Sequence, residues 1–219
     1  MNYKTKEWKI LTQINNAHND GISSLCEISN KRLISSSYDK TIKIWNVSSN
    51  TEKTLIKTLT QRGGEIYQVI TLTNNRFTSC SYTNGTVKLW NSEKYEQISI
   101  PFEQQLKPNS LLQLRRQREV LIINSLSPAL RFYQLCHPYE LLGIVNDVCT
   151  NYRYGLIELS NGHVAASYRD IKCIYIVDPK KYELVTTIVD EEYILDCGSL
   201  YAFSKDSFIH APYDGEWRI

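Results

Sequence analysis

Apolar and polar residues alternate with period two along much of this chain, in short runs. Ile42-Lys43-Ile44-Trp45 and Val87-Lys88-Leu89-Trp90 are the clearest. Such alternation marks a strand with one buried face. Related runs stand at Leu130-Arg131-Phe132-Tyr133, Ile174-Tyr175-Ile176-Val177 and Trp217-Arg218-Ile219. Trp90 lies 45 residues after Trp45, Tyr133 lies 43 after Trp90, and Val177 lies 44 after Tyr133. A fixed period of this length indicates stacked supersecondary units. No window of about 11–18 residues carries a 3.6-residue apolar stripe, so little or no helix is expected.

Turn residues punctuate the strands at the same period. A turn precedes each alternating run, at 38–40, 83–85, 127–128, 169–170 and 214–215. Asp, Asn, Gly, Ser and Pro recur there, as tight turns require. A second strand comes before each turn, at 32–37, 76–81, 120–125, 163–167 and 207–211. Further turns stand at 29–31, 73–75, 116–118, 160–162 and 204–206. They are rich in residues that tolerate positive φ. A third set of strands is expected at 22–28, 66–72, 111–114, 154–159 and 195–203, and a fourth at 8–14, 54–59, 95–100, 139–145 and 184–189. The chain reads as one domain, 1–219, of five four-stranded repeats ending near 45, 90, 133, 177 and 219.

Four antiparallel strands per roughly 40–45 residues is the pattern of a propeller blade. At Tyr38-Asp39-Lys40-Thr41-Ile42-Lys43-Ile44-Trp45 and at Gly85-Thr86-Val87-Lys88-Leu89-Trp90 the chain resembles the WD-repeat family. Asn46 and Asn91 stand where that family has its aspartate, Tyr133 and Val177 replace its tryptophan, and Asp178 keeps the acid. The resemblance implies an all-β propeller of about five four-stranded blades, as a complete ring or as part of a larger one. It also implies that strand 8–14 would complete the last blade. An incomplete ring would expose sheet edges and self-associate.

The resemblance further places His18, Ser35, Asp39 and Trp45 at the family's hydrogen-bonded tetrad, a structural network. The second repeat offers Ser79, Asn84 and Trp90, with 63–65 near the histidine position. The later repeats are expected to rely on apolar packing.

Composition narrows the function. Hydrophobic residues make up 42% of the 219, enough for a packed interior. Net charge is +2 and the pI about 8.1, too balanced to argue for nucleic acid or an anionic membrane. No apolar run approaches the roughly 18 residues that span a membrane, and the N-terminal residues do not read as a secretory signal. Cys26, Cys80, Cys136, Cys149, Cys173 and Cys197 form no Cys-x-x-Cys pair, and read as buried thiols of a reducing cytoplasm. His18, His137, His163 and His210 show no metal-ligand spacing, and no Gly-rich phosphate loop occurs. No catalytic residues, metal or cofactor are expected.

The strongest functional signal is a column of tyrosines. Tyr38, Tyr82, Tyr168 and Tyr213 each close the second strand of their repeat, and Leu126 stands there in the third. The corresponding turns share one rim, because each blade is the same unit rotated about one axis. The family resemblance implies that this face binds partners. Aromatic side chains on such a face serve as protein-binding anchors. The other reading is that the rings pack against neighbouring blades. The expected function is a non-catalytic platform for a protein or peptide. The alternative is RNA binding through Arg115, Arg116 and Arg118, the one dense basic run.

Overall fold

The computed structural model describes residues 13–29, 31–49, 53–61, 64–81, 83–98, 106–125, 129–148, 155–168, 173–189, 197–202 and 208–212, the last two segments at the backbone only. All regular elements among them are strands. The first sheet holds β1 (Ile22–Ile28), β2 (Arg32–Ser37), β3 (Thr41–Asn46) and β4 (Thr54–Thr60). The second holds β5 (Ile66–Leu72), β6 (Arg76–Ser81), β7 (Thr86–Asn91) and β8 (Gln97–Ile98). The third holds β9 (Pro108–Gln113), β10 (Val120–Ser125), β11 (Ala129–Gln134) and β12 (Leu141–Asn146). The fourth holds β13 (Leu156–Glu158), β14 (Val164–Tyr168), β15 (Cys173–Asp178) and β16 (Glu183–Val189). A pair, β17 (Cys197–Ala202) and β18 (Phe208–Pro212), follows. Every pairing is antiparallel, and strands pair in chain order within each sheet.

These sheets are blades of the propeller type. The first strands of successive sheets lie against one another, β1 on β5, β5 on β9, β9 on β13 and β13 on β17. The outer strands are the exposed ones, and every residue of β16 is exposed. The core lies between blades rather than within any one of them. Ile34, Ile42 and Ile44 of the first blade pack on Ile66, Val69, Phe77 and Trp90 of the second. Leu72, Val87 and Leu89 of the second meet Leu111, Leu121 and Tyr133 of the third. Ile122, Leu130 and Phe132 of the third meet Leu156, Val164 and Val177 of the fourth. A lone blade could not bury these rows, so each blade owes its stability to its neighbours.

The sheets are offset from the sequence repeats by one strand. The strand that opens each repeat belongs to the previous sheet: β4, read as part of the second repeat, pairs with β3 of the first. Register explains this, because Asn46 faces Thr54 across a short connection that can only fold back on the strand it leaves. Each blade is thereby stitched to the next by the chain itself. Strand 8–14 lies outside the described residues except for its last two, and the run at 217–219 lies outside them altogether.

One flank differs from its counterparts. Ile22 and Leu25 of β1 are 50% and 58% exposed, whereas the equivalent Ile66 and Val69 of β5 are 0% and 1% exposed. The first blade covers these positions of the second, and the same positions on β1 are exposed.

Tyr95 and Tyr139, expected to begin strands, instead sit in the turns that precede β8 and β12, with φ of 56° and 59°. Tyr182 does the same before β16, with φ of 57°. The three are 44 and 43 residues apart. Each reaches back to the preceding blade. The Tyr95 hydroxyl accepts from Arg32 at 2.5 Å, Tyr139 packs on the core shared by the second and third blades, and the Tyr182 ring lies 5.2 Å from that of Phe132. Gly143 of β12 makes room for it, since a Cβ there would overlap the Tyr182 ring.

Candidate functional site

Strands β2 and β3 meet at the turn 38–40, with Lys40 in the left-handed region at φ 70°. Asp39 builds this turn. Its Oδ1 accepts from the Thr41 backbone N–H at 2.9 Å and from the Thr41 hydroxyl at 2.6 Å. Its Oδ2 accepts from the Asn19 N–H at 3.0 Å and lies 2.9 Å from His18 Nδ1. His18 Nε2 is 2.6 Å from Ser35 Oγ, and the Trp45 indole N–H donates to that oxygen at 2.8 Å. The neutral imidazole satisfies the chain with its proton on Nδ1: Trp45 donates to Ser35, Ser35 to Nε2, and Nδ1–H to Asp39. The side chains of His18 and Asp39 are 1% and 7% exposed, so the network is sealed from water. It ties the loop before β1 to β2 and β3.

Burial works against the Asp39 carboxylate. The hydrogen bonds from the Thr41 hydroxyl, the Asn19 and Thr41 backbone N–H groups and His18 outweigh it, and hold the carboxyl well below its ordinary range. Its contribution to stability is therefore fully present above the unfolded carboxyl value, about 3.9, and is lost as pH falls through the lower folded value. Asp39→Asn is expected to flatten the acid limb of a melting-temperature profile recorded from pH 7 down to pH 2. An unchanged limb would contradict the network.

The second blade carries its own version. The Trp90 indole donates to Ser79 Oγ at 2.9 Å, and Ser79 donates to Gln61 Oε1 at 3.0 Å. Gln61 Nε2 donates to Thr86 Oγ1 at 3.0 Å, which lies 3.3 Å from Asn84 Oδ1. Gln61 is 1% exposed and takes the place of His18. Sequence reasoning looked at 63–65 for this role and missed it. The signal was present, since Gln61 lies 43 residues after His18 and an amide offers both a donor and an acceptor. Gly64 instead tucks under the turn of its own blade, where a Cβ would overlap Thr83 and Ser81. In the third blade Ile123, fully buried, stands at the serine position, so apolar packing replaces the network there.

Tyr38 stands one residue before Asp39 on the rim formed by these turns. Its backbone N–H donates to the Gly21 carbonyl at 3.1 Å. Its ring lies over Gly21, where an added Cβ would come 3.2 Å from Cδ2. It also meets Tyr67 of the second blade edge-on, with centroids 5.4 Å apart and planes at 63°. Both rings are half-buried. The Tyr67 hydroxyl is 3.4 Å from Glu65 Oε2. Tyr82 and Tyr213 lie outside the described residues, and Tyr168 is described only as the last residue of β14.

Arg115, Arg116 and Arg118 are exposed on the loop between β9 and β10. Arg116 donates across the seam to the Ser160 carbonyl, and the Arg115 and Arg116 backbone N–H groups donate to the buried Glu158 carboxylate. Cys80 is completely buried, and burial pushes its thiol up to about 12, so it packs rather than reacts. Among the described residues, no cluster of three or more His, Cys, Asp or Glu side chains could hold a metal ion.

A search for similar curated proteins found no match. Residues 9–46 match the family model described as WD domain, G-beta repeat. That segment contains His18, Ser35, Asp39 and Trp45. The chain therefore carries a WD repeat in its first blade and continues in repeated four-stranded sheets consistent with WD repeats.

Proposed function

We propose that this chain is a rigid, non-catalytic platform that binds a protein or peptide through the rim formed by the turns between second and third strands. The WD repeat is a protein-interaction kind of domain and is generally without catalysis of its own. The observation that carries the reading is the Tyr38–Tyr67 pair, two half-buried rings held edge-on across a blade seam beside the Glu65 carboxylate. A ring fixed by its neighbours before binding loses little freedom on docking and presents both an apolar face and a hydroxyl. By position in the repeat, Tyr82 and Tyr213 extend the same rim, and Tyr168 ends the second strand of its blade one residue earlier, where Ser37 stands in the first. Binding energy is expected to concentrate in a few such aromatics.

The test is Tyr38→Ala, alone and with Tyr213→Ala. The double variant is expected to weaken a captured partner at least roughly tenfold, corresponding to about 1.4 kcal/mol or more. Melting is expected to shift by only a few degrees. Retained affinity with a large loss of thermal stability would assign the rings to packing instead. We place the protein in the cytoplasm, a reading supported by the free thiols of Cys26, Cys80, Cys136 and Cys173.

A second reading concerns the open flank of the first blade, with Ile22 and Leu25 exposed. Exposed large apolar side chains at positions buried in the next blade mark a surface for contact. Self-association through it predicts a concentration-dependent sedimentation coefficient that Leu25→Glu abolishes. A wild type that sediments as a monomer at all concentrations would sink this reading.

A further inference from the structure

The blade seams are bridged by a recurring arginine. Arg32, the first residue of β2, donates from Nε to the Ser29 carbonyl at 3.0 Å and from Nη1 to the Ser92 carbonyl at 3.1 Å. Ser92 is the residue just after the third strand of the next blade. Arg76, the first residue of β6, repeats this arrangement. Its Nε donates to the Thr73 carbonyl at 3.2 Å, Nη1 to the Leu135 carbonyl, and Nη2 to Glu119 at 2.9 Å. Leu135 likewise follows the third strand of its blade. Two consecutive seams are thus filled by a guanidinium group from the earlier blade, seated on carbonyl oxygens three residues before it and just past β7 or β11.

The third seam lacks an arginine at this position, and Arg116 of the preceding loop crosses it to the Ser160 carbonyl instead. The first residue of β10 is Val120. The loop before it is also longer, with five residues between Leu114 and Val120 against three between Leu72 and Arg76. A cleft of about 120 Å³ lies at this seam. Its lining includes Gln117, Gly162 and Pro179. By strand register these correspond to Thr73, Glu119 and Leu135, since the Leu159 N–H donates to the His163 carbonyl as the Leu114 N–H does to that of Val120. The Gln117 and Pro179 carbonyls thus match the two that receive the Arg76 guanidinium, while Gly162 offers no counterpart to the Glu119 carboxylate. The Glu158 and Asp178 carboxylates line the same cleft, each already accepting from backbone N–H groups, Glu158 from Arg115 and Arg116 and Asp178 from Lys180, with further lone pairs to offer.

We propose that this cleft is a vacated arginine socket that takes a guanidinium group in trans, from an arginine side chain of a protein partner. A guanidinium carries five N–H donors in a planar fork, which matches carbonyl and carboxylate acceptors set around a narrow seam. A lysine ammonium is a compact point charge without that fork. Arg116 and Lys180 also border the cleft, and taken alone they would suit an anion. Arg116 is committed to the Ser160 carbonyl, however, and the carbonyl and carboxylate oxygens at the equivalent seams receive cations. The cleft is formed by turns on the rim opposite Tyr38, so the inference is independent of the tyrosine reading.

The test is an amide NMR titration of the full chain with N-acetyl-arginine methylamide, its lysine and citrulline counterparts, and inorganic phosphate. The arginine probe is expected to give saturable shifts at the Gln117, Gly162 and His163 amides. Citrulline, neutral but nearly isosteric, is expected to bind at least tenfold more weakly. Val120→Arg supplies the missing guanidinium from within. It is expected to raise the melting temperature and abolish the probe's shifts. Citrulline binding as well as arginine, phosphate binding in its place, or shifts confined elsewhere would overturn the proposal. So would a folded Val120→Arg variant that binds the probe like wild type. If that variant fails to fold, the wild-type titration decides alone.

Discussion

Trp90→Ala is expected to destabilise the fold by about 3–5 kcal/mol, the usual cost of emptying a buried aromatic site. Trp90 is 5% exposed in the core between the first and second blades. Its ring stacks on Phe77 at 5.9 Å with planes 8° apart, and Lys88 Nζ stands 5.8 Å from the centroid. Truncation also leaves Ser79 and Gln61 without the indole donor that anchors their network. Trp90→Phe keeps one aromatic ring but loses the N–H and part of the indole's volume, so its cost should be smaller, about 1–3 kcal/mol. Urea unfolding of the three proteins measures this directly. Near-equal costs for Ala and Phe would mean that the hydrogen bond, not the ring, dominates. A chain of this kind holds only about 5–15 kcal/mol in total, so the Ala variant should lose a large share of its stability.

Arg76→Ala carries the second large effect, about 3 kcal/mol. The side chain is 8% exposed and joins the second blade to the third through the Leu135 carbonyl and Glu119. Hydrogen bonds from a charged donor contribute about 1.5–3 kcal/mol, and truncation leaves a buried carbonyl without this donor. Most of the loss should trace to Leu135 rather than to Glu119, whose side chain is 37% exposed and screened by water. Glu119→Ala should therefore cost less than about 1 kcal/mol. Arg76→Lys should recover less than half of the loss, because a lysine cannot reach several acceptors with one planar fork. If Glu119→Ala proves as damaging as Arg76→Ala, the ion pair and not the carbonyl bridge holds this seam.

Much of the fold was legible because each strand writes its own period. Arg32–Ser37 and Arg76–Ser81 run as the alternation and turn residues require. The His18, Ser35, Asp39 and Trp45 cluster was legible for a different reason. Its residue types are complementary in donors and acceptors and stand at fixed offsets from the turn. What stayed hidden was relational. The repeat spacing alone does not say whether Thr54–Thr60 pairs with the strand before it or the strand after it; the ladder sets it on Thr41–Asn46. Gln61 was missed because an amide does not look like an imidazole, although it offers the same two hydrogen-bonding functions. Tyr95, Tyr139 and Tyr182 repeat as regularly as the tryptophans, but lie in turns where a strand-based reading expects only polar punctuation. Arg32 and Arg76 look like ordinary strand-edge charges until the neighbouring blade supplies their acceptors.

The rim itself was only partly legible. The column Tyr38, Tyr82, Tyr168 and Tyr213 is a sequence pattern, whereas the contact that fixes Tyr38 comes from Tyr67, a first-strand residue whose place is held by a tyrosine again at Tyr154 of the fourth repeat. Ser23 occupies the matching place in the first blade. The pairing depends on two blades meeting, and so appears only once they are assembled.

The claim that this rim binds the partner is tested most directly by hydrogen–deuterium exchange of the full chain, free and saturated with a captured partner. The account predicts slowed exchange at amides 19–21, 38–40 and 65–67, with the turns at 29–31 and 73–75 on the opposite rim unchanged. Protection confined to the opposite rim, with the amides around Tyr38 exchanging as in the free protein, would contradict it.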